Sequence, residues 1–215
     1  MSPVDISLYA ILDPRRTRDR GLAEMAAAAA KGGATLLQYR DKDADTRTLI
    51  SNARTIKAAL EPFDAPLLIN DRVDVALAAG ADGVHVGQSD MTPADARALL
   101  GPEAIVGLTI KTETHARVAP LHLLDYACIG GIYATLSKDN PTAIGLDGWR
   151  AIDRVFDDRD ATFPVGGIAG IDETNVADVI TTGADGAAII SAIFMADEVE
   201  AATRNLKSII EESRL

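Results

Sequence analysis

A chain of 215 residues and 22.6 kDa can bury one substantial core, and no shift in composition divides it, so a single domain over residues 1–215 is expected. Apolar residues make up 47% of it and aromatic residues only 4%, which suits strands covered by alanine-rich helices and argues against a stacking surface for bases. A net charge of -11 repels a phosphate backbone, so no nucleic acid partner is expected, although a local cluster of Arg and Lys can still take a small anion.

The first residues, Met1 to Ser7, carry no basic stretch ahead of an apolar run, and the alanines from Ala26 to Ala30 are too few to span a bilayer. A cytoplasmic protein with no membrane partner is expected. Short apolar runs then alternate with helical patterns. Strands are expected over Leu8 to Leu12, Thr35 to Tyr39, Pro66 to Ile69, Gly83 to Val86, Ile105 to Thr109, Tyr126 to Ile129, Phe163 to Ile168 and Gly186 to Ile190. Helices are expected over Leu22 to Lys31, Thr48 to Leu60, Val73 to Ala79, Pro93 to Leu100, Asp147 to Phe156 and Glu173 to Thr181. Strands separated by helices imply a parallel sheet, and eight such units point to a single (β/α)8 TIM barrel of the α/β class. The junctions at Gly32-Gly33, Gly80 to Gly83 and Gly183 to Gly186 stand between a helix and the next strand and report architecture. The longest connection, Gly130 to Gly145, follows a strand, where barrel enzymes carry functional loops.

In Gln38-Tyr39-Arg40-Asp41-Lys42, extended backbone sends Gln38, Arg40 and Lys42 to one side, where a guanidinium fork and an ammonium suit a diphosphate. A solvated charge run, with Asp41, Asp43 and Asp45 pairing those cations, is the plainer reading. Asp71 and Asp90 each stand just beyond an apolar strand, and two carboxylates with phosphate oxygens are a common way to hold Mg2+. Asn70, Asp71 or Asp90 could instead cap the helices that follow. The turn Gly166 to Gly170 and the pair Ile190-Ser191 follow the last two strands, where barrels often seat a phosphate. His85 reads as a packed, hydrogen-bonded residue, Cys128 as a small buried one, and the absence of a His/Cys cluster with ligand spacing disfavours zinc.

Taken in order and spacing, Tyr9 to Asp13, Gln38 to Lys42, Asn70-Asp71-Arg72, Gly83 to Asp90, Thr135 to Lys138 and Gly183 to Ile193 resemble the thiamine phosphate synthase family across nearly the whole chain. The resemblance implies a transferase that joins a hydroxymethylpyrimidine diphosphate to a thiazole phosphate and releases diphosphate with Mg2+. It implies that Gln38, Tyr39, Arg40, Asp41, Lys42, Asn70, Thr109 and Lys138 contact the pyrimidine diphosphate and that Asp71 and Asp90 bind the metal. Thr135, Leu136, Ser137, Gly170, Ile190 and Ser191 would surround the thiazole phosphate, and Arg40, Lys42 and Lys138 would stabilise the leaving group. Four positions depart from the pattern: Thr109 for serine, Ser137 for threonine, Gly131 for proline and Ala169 for glycine. A related thiazole tautomerase would carry a histidine shortly after the fifth strand, where this chain has Lys111, and a noncatalytic phosphate-metabolite sensor is the other alternative. Whether the chain works as a homo-oligomer is left open.

Overall fold

Eight short strands close into a barrel in the computed structural model, which describes residues 4–134 and 143–214. They are β1 (Leu8–Leu12), β2 (Leu36–Tyr39), β3 (Leu67–Asn70), β4 (Gly83–Val86), β5 (Ile105–Ile110), β6 (Tyr126–Gly130), β7 (Val165–Ile168) and β8 (Gly186–Ile189). Neighbours pair in parallel in chain order, and β8 returns to β1 with Ala188 opposite Tyr9, so no edge is left open. Parallel neighbours need crossovers, supplied by helices α1 (Leu22–Lys31), α2 (Thr46–Leu60), α3 (Val73–Ala79), α4 (Pro93–Leu100), α5 (Glu113–Val118), α6 (Gly145–Asp160) and α7 (Val176–Thr181). The short α8 (Ser191–Phe194) and the longer α9 (Val199–Glu212) follow β8.

The expected elements are all present, and the shifts in their ends have local causes. Pro66 lends its carbonyl to Leu37 at 3.0 Å but has no N–H to give, so β3 starts at Leu67. Asp45 caps α2 through the Thr48 amide at 2.9 Å and starts that helix at Thr46 rather than Thr48. Asp172 and Asn175 bond within their own turn, which delays α7 to Val176. Three α-helices among the described residues were not anticipated. Thr112 caps α5 by accepting from the His115 amide at 3.1 Å, and α9 buries Val199, Thr203, Leu206 and Ile210 on one stripe. The third, α8, is a single turn.

Strand alternation sorts the core into two layers. Outward residues such as Leu37, Tyr39, Leu67, Ile69 and Val84 pack against the helices, where Ala26, Ala29 and Ala30 let α1 lie close to the sheet. Inward residues Tyr9, Ile11, Leu36, Leu68, Tyr126, Cys128, Ile168 and Ala188 come from six strands and touch one another, which places them inside the barrel. Cys128 is 1% exposed there.

At the end where strands begin, the recurring helix-to-strand junctions find their purpose. Asp82, Asp125 and Asp185 accept from the amides of Leu67, Val106 and Val165 at 2.8, 2.7 and 2.8 Å, tying each junction to the preceding strand. Lys57 and Arg97 neutralise Asp82 and Asp125 at 2.7 and 2.8 Å. No helix among the described residues is long and apolar enough to cross a membrane.

Candidate active site at the carboxyl rim

Inward positions at the carboxyl ends of β1 to β5 carry the charged and polar groups. Gln38 and Arg40 follow Leu36 on the inward face of β2, and both are buried. Arg40 pairs through Nη1 with Asp13, the residue that follows β1 and is itself 3% exposed. Asp13 also accepts the Arg15 amide at 3.0 Å, so its carboxylate is anchored on both sides. The Arg40 Nε is buried with no hydrogen-bond partner among the described residues, so this guanidinium retains donor capacity.

The second cluster joins three strands. Asp71 takes the left-handed conformation at φ 59°, its amide donates to the His85 carbonyl at 2.8 Å, and the chain thereby leaves β3 with the carboxylate turned to Lys42. Asp90, on the loop after β4, accepts from the Gly87 amide at 2.8 Å and neighbours Asp71. Burial pushes both acids up. For Asp71 the Lys42 ammonium and the neighbouring Asp90 outweigh burial and hold it below the usual carboxylate range, whereas Asp90 is raised by burial and then by Asp71. Two neighbouring carboxylates form a site that suits a hard cation, since both offer oxygen donors. No group of three or more His, Cys, Asp or Glu gathers for a metal among the described residues.

These placements remove the plainer readings. The caps of α3 and α4 are Arg72 and Thr92, not Asn70, Asp71 or Asp90. Asp41 bonds the amides of Asp43 and Ala44 and the Tyr39 hydroxyl, Asp43 pairs with Arg15, and Asp45 is a helix cap, so none of them pairs with Arg40 or Lys42. The Tyr39 ring is in the outer layer, bonded also to Asn52 at 2.9 Å, so only the backbone of Tyr39 is available to the mouth. Asn70 ends β3 on the inward parity of Leu68, half-buried. Thr109 bonds His85 Nε2 at 2.8 Å, and its carbonyl accepts from Gln88 at 2.7 Å. His85 is packed, with both ring nitrogens bonded.

A second group lies on the same rim at β7 and β8. Ala169 and Gly170 both have positive φ, 92° and 68°, and a Cβ at Gly170 would meet the Ala134 carbonyl at 2.6 Å and Tyr133 Cβ at 2.7 Å. Glycine is therefore required where the chain leaving β7 crosses the chain leaving β6. Alanine at 169 occupies a glycine conformation. Gly131 has φ 89°, which proline cannot adopt. Ile190 precedes α8, whose first residue is Ser191. Thr135, Leu136, Ser137 and Lys138 lie outside the described residues.

Asp13, Tyr9 and Tyr126 were not singled out individually from the sequence. Asp13 follows an apolar strand just as Asp71 and Asp90 do, and that signal sufficed to find it. The two tyrosines sit in apolar strands with nothing local to mark them.

The profile described as Thiamine monophosphate synthase matches residues 8–193. A thiamine-phosphate synthase of Agrobacterium fabrum is 48% identical over 98% of this chain and 96% of its own, and one of Xanthobacter autotrophicus is 47% identical over 99% of each. The solved thiamine phosphate pyrophosphorylase of Pyrococcus furiosus superposes with a TM-score of 0.84 at 35% identity, covering 98% of both chains.

Proposed function

The chain belongs to the thiamine monophosphate synthase family and is a transferase, and from that premise we propose how its rim carries out the reaction. The substrates are 4-amino-2-methyl-5-(diphosphooxymethyl)pyrimidine and a thiazole phosphate, and the products are thiamine monophosphate and diphosphate. The order is dissociative. The bond from the pyrimidine methylene to the diphosphate oxygen breaks first, and its electron pair leaves on the diphosphate. The ring amino group donates electron density to the cation left behind, and the thiazole nitrogen lone pair then forms the new carbon–nitrogen bond. No protein nucleophile takes part.

The observation that carries this reading is the grouping of Arg40, Lys42, Asp71 and Asp90 on one rim. Arg40, held in place by Asp13 and with a donor to spare, and Lys42 would stabilise negative charge as it grows on the leaving group. Asp71 and Asp90 would hold Mg2+, which when bound neutralises the diphosphate and orients it. Gln38, Asn70 and Thr109 would orient the pyrimidine. Gly170, Ile190 and Ser191, with Thr135, Leu136 and Ser137, would seat the thiazole phosphate, and Lys138 would join Arg40 and Lys42 at the diphosphate. A cytoplasmic setting, where phosphorylated metabolites accumulate, fits these substrates.

Product analysis with purified protein, both substrates, and Mg2+ supplied or chelated tests the proposal. Thiamine monophosphate and diphosphate are expected in equal amounts and only with Mg2+. Equal turnover in a chelator would remove the metal assignment. Isomerised thiazole without coupling would indicate a tautomerase, and binding without turnover would indicate a sensor.

A further inference from the structure

Arg20, in the loop between β1 and α1, donates from all three of its guanidinium nitrogens to backbone. Nε reaches the Thr17 carbonyl at 3.0 Å, Nη1 the Asp197 carbonyl at 3.2 Å and Nη2 the Phe194 carbonyl at 2.5 Å. The chain has 32 Asp and Glu against 21 Lys and Arg, yet among the described residues no carboxylate pairs with this side chain. Its charge is directed at carbonyls.

The loop is shaped to deliver it. The 3-10 turn Pro14–Arg16 ends at Thr17, which is 2% exposed and donates from its hydroxyl to the Pro14 carbonyl at 3.0 Å. Arg18 and Asp19 then take left-handed conformations, with φ 51° and 60°, and the Arg20 amide closes the turn on the Thr17 carbonyl at 3.1 Å. Two successive left-handed residues that are not glycine are strained, and such strain persists only where the surroundings hold it. Arg20 does so from the buried side, and the exposed pair of Arg18 with Asp197 at 2.6 Å from the other.

What Arg20 grips is the carboxyl end of α8, 174 residues away in the chain. A single helical turn is not stable by itself. The Phe194, Met195 and Ala196 amides take the Ile190, Ser191 and Ile193 carbonyls at 3.0, 2.9 and 3.4 Å, and Arg20 takes that of Phe194. A cation there also meets the negative pole of the turn. The buried Ile193 and Phe194 side chains fix one flank, and Arg20 fixes the end. At 1.5 Å per residue α8 is only ~6 Å long, so a shift at Phe194 is carried through to Ile190 and Ser191.

We infer that Arg20 is a positioning residue for the thiazole phosphate: it holds the carboxyl end of α8 and so sets where Ile190 and Ser191 stand. This assignment rests on the functional reading above and adds to it a residue that acts on that substrate through α8, without touching it. Lysine cannot replace it, because one ammonium does not span three carbonyls as a planar fork does.

Full-length Arg20→Ala, Arg20→Lys and Arg18→Ala, compared with the wild type, test this by calorimetric binding of the thiazole phosphate alone, KM for each substrate, and thermal melting. Arg20→Ala should bind the thiazole phosphate about tenfold more weakly and raise its KM to match, with kcat and the KM for the pyrimidine diphosphate within about twofold. Methylguanidinium should restore most of the lost affinity, and methylammonium should not. Arg20→Lys should resemble Arg20→Ala, and it carries the same comparison if the alanine variant does not fold. Arg18→Ala loses only an exposed pair and should leave both KM values unchanged. An equal rise in both KM values, or a lower melting temperature with unchanged affinity for the thiazole phosphate, would reduce Arg20 to a structural tie. Wild-type coupling with unaltered thiazole phosphate affinity in both Arg20 variants would overturn this inference alone. A wild type that neither binds the thiazole phosphate nor forms product would overturn the functional reading and this assignment with it.

Discussion

Where the barrel strands begin, Asp82, Asp125 and Asp185 spend a carboxylate oxygen on the backbone amide of a neighbouring strand. Where the strands end, Asp13, Asp71 and Asp90 face Arg40, Lys42 and one another. The residue type is the same and the use differs. At the first end the orphan amides of strand starts are the nearest donors, and an acid on the next junction ties two strands together. At the second, Asp13 and Asp90 accept only amides of their own loops, and inward side chains from successive strands converge, so the carboxylates and cations gather into a site.

Substitutions at each end can break or sharpen that contrast. The largest effect is expected for Asp71→Asn, which tolerates the left-handed backbone but cannot bind a cation as a carboxylate does. The kcat/KM for thiamine monophosphate formation should fall roughly a thousandfold with the melting temperature nearly unchanged. A loss smaller than about tenfold would place Asp71 with the structural acids. Asp125→Ala should do the reverse. It leaves the Val106 amide without its acceptor and Arg97 without its carboxylate partner, and should cost about 1–3 kcal/mol in denaturant unfolding, with KM for both substrates unaltered.

Ala169→Gly should raise stability by about 1 kcal/mol, because relief of a positive φ exceeds the extra freedom glycine has in the unfolded chain. A neutral or negative result in calorimetry would show that the turn after β7 has adapted to alanine. The smallest effect is expected for Asp153 on α6, an acid at the strand-start end that does not stitch a strand. Burial, then Asp157 and Asp185, push it up to about 7. A carboxyl raised in the fold contributes stability that is complete below its unfolded value and is lost as pH rises through about 7. Asp153→Asn should therefore melt at a higher temperature than the wild type at pH ~8 and at the same temperature near pH ~4. Parallel melting curves across that window would refute the assignment.

The barrel was legible in the sequence because most β/α units declare themselves locally, with an apolar run of strand length, then a helical stripe, and at three junctions a glycine. What escaped was short or relied on a single cap, as with α5 behind Thr112, or lay beyond the last strand, as with α9, whose stripe from Val199 to Ile210 was there to be read. In the site, Gln38, Arg40, Lys42, Asp71 and Asp90 were legible because each stands at or just past a strand end. The fate of Tyr39 followed from the same alternation, since a residue between two inward positions must face the helices.

By itself, then, the sequence determined which residues would be strands, which end of the barrel would hold the chemistry, and which charges would be offered there, since all of these follow from local periodicity and the direction of a parallel strand. Only the tertiary structure decided who meets whom: Asp13 with Arg40, Lys42 with Asp71 rather than with the nearer Asp41 or Asp43, and His85 between Tyr126 and Thr109. Those partners lie between 24 and 41 residues apart in the chain. Closure of the sheet brings them together, and no local pattern encodes a contact that exists only once β8 has found β1.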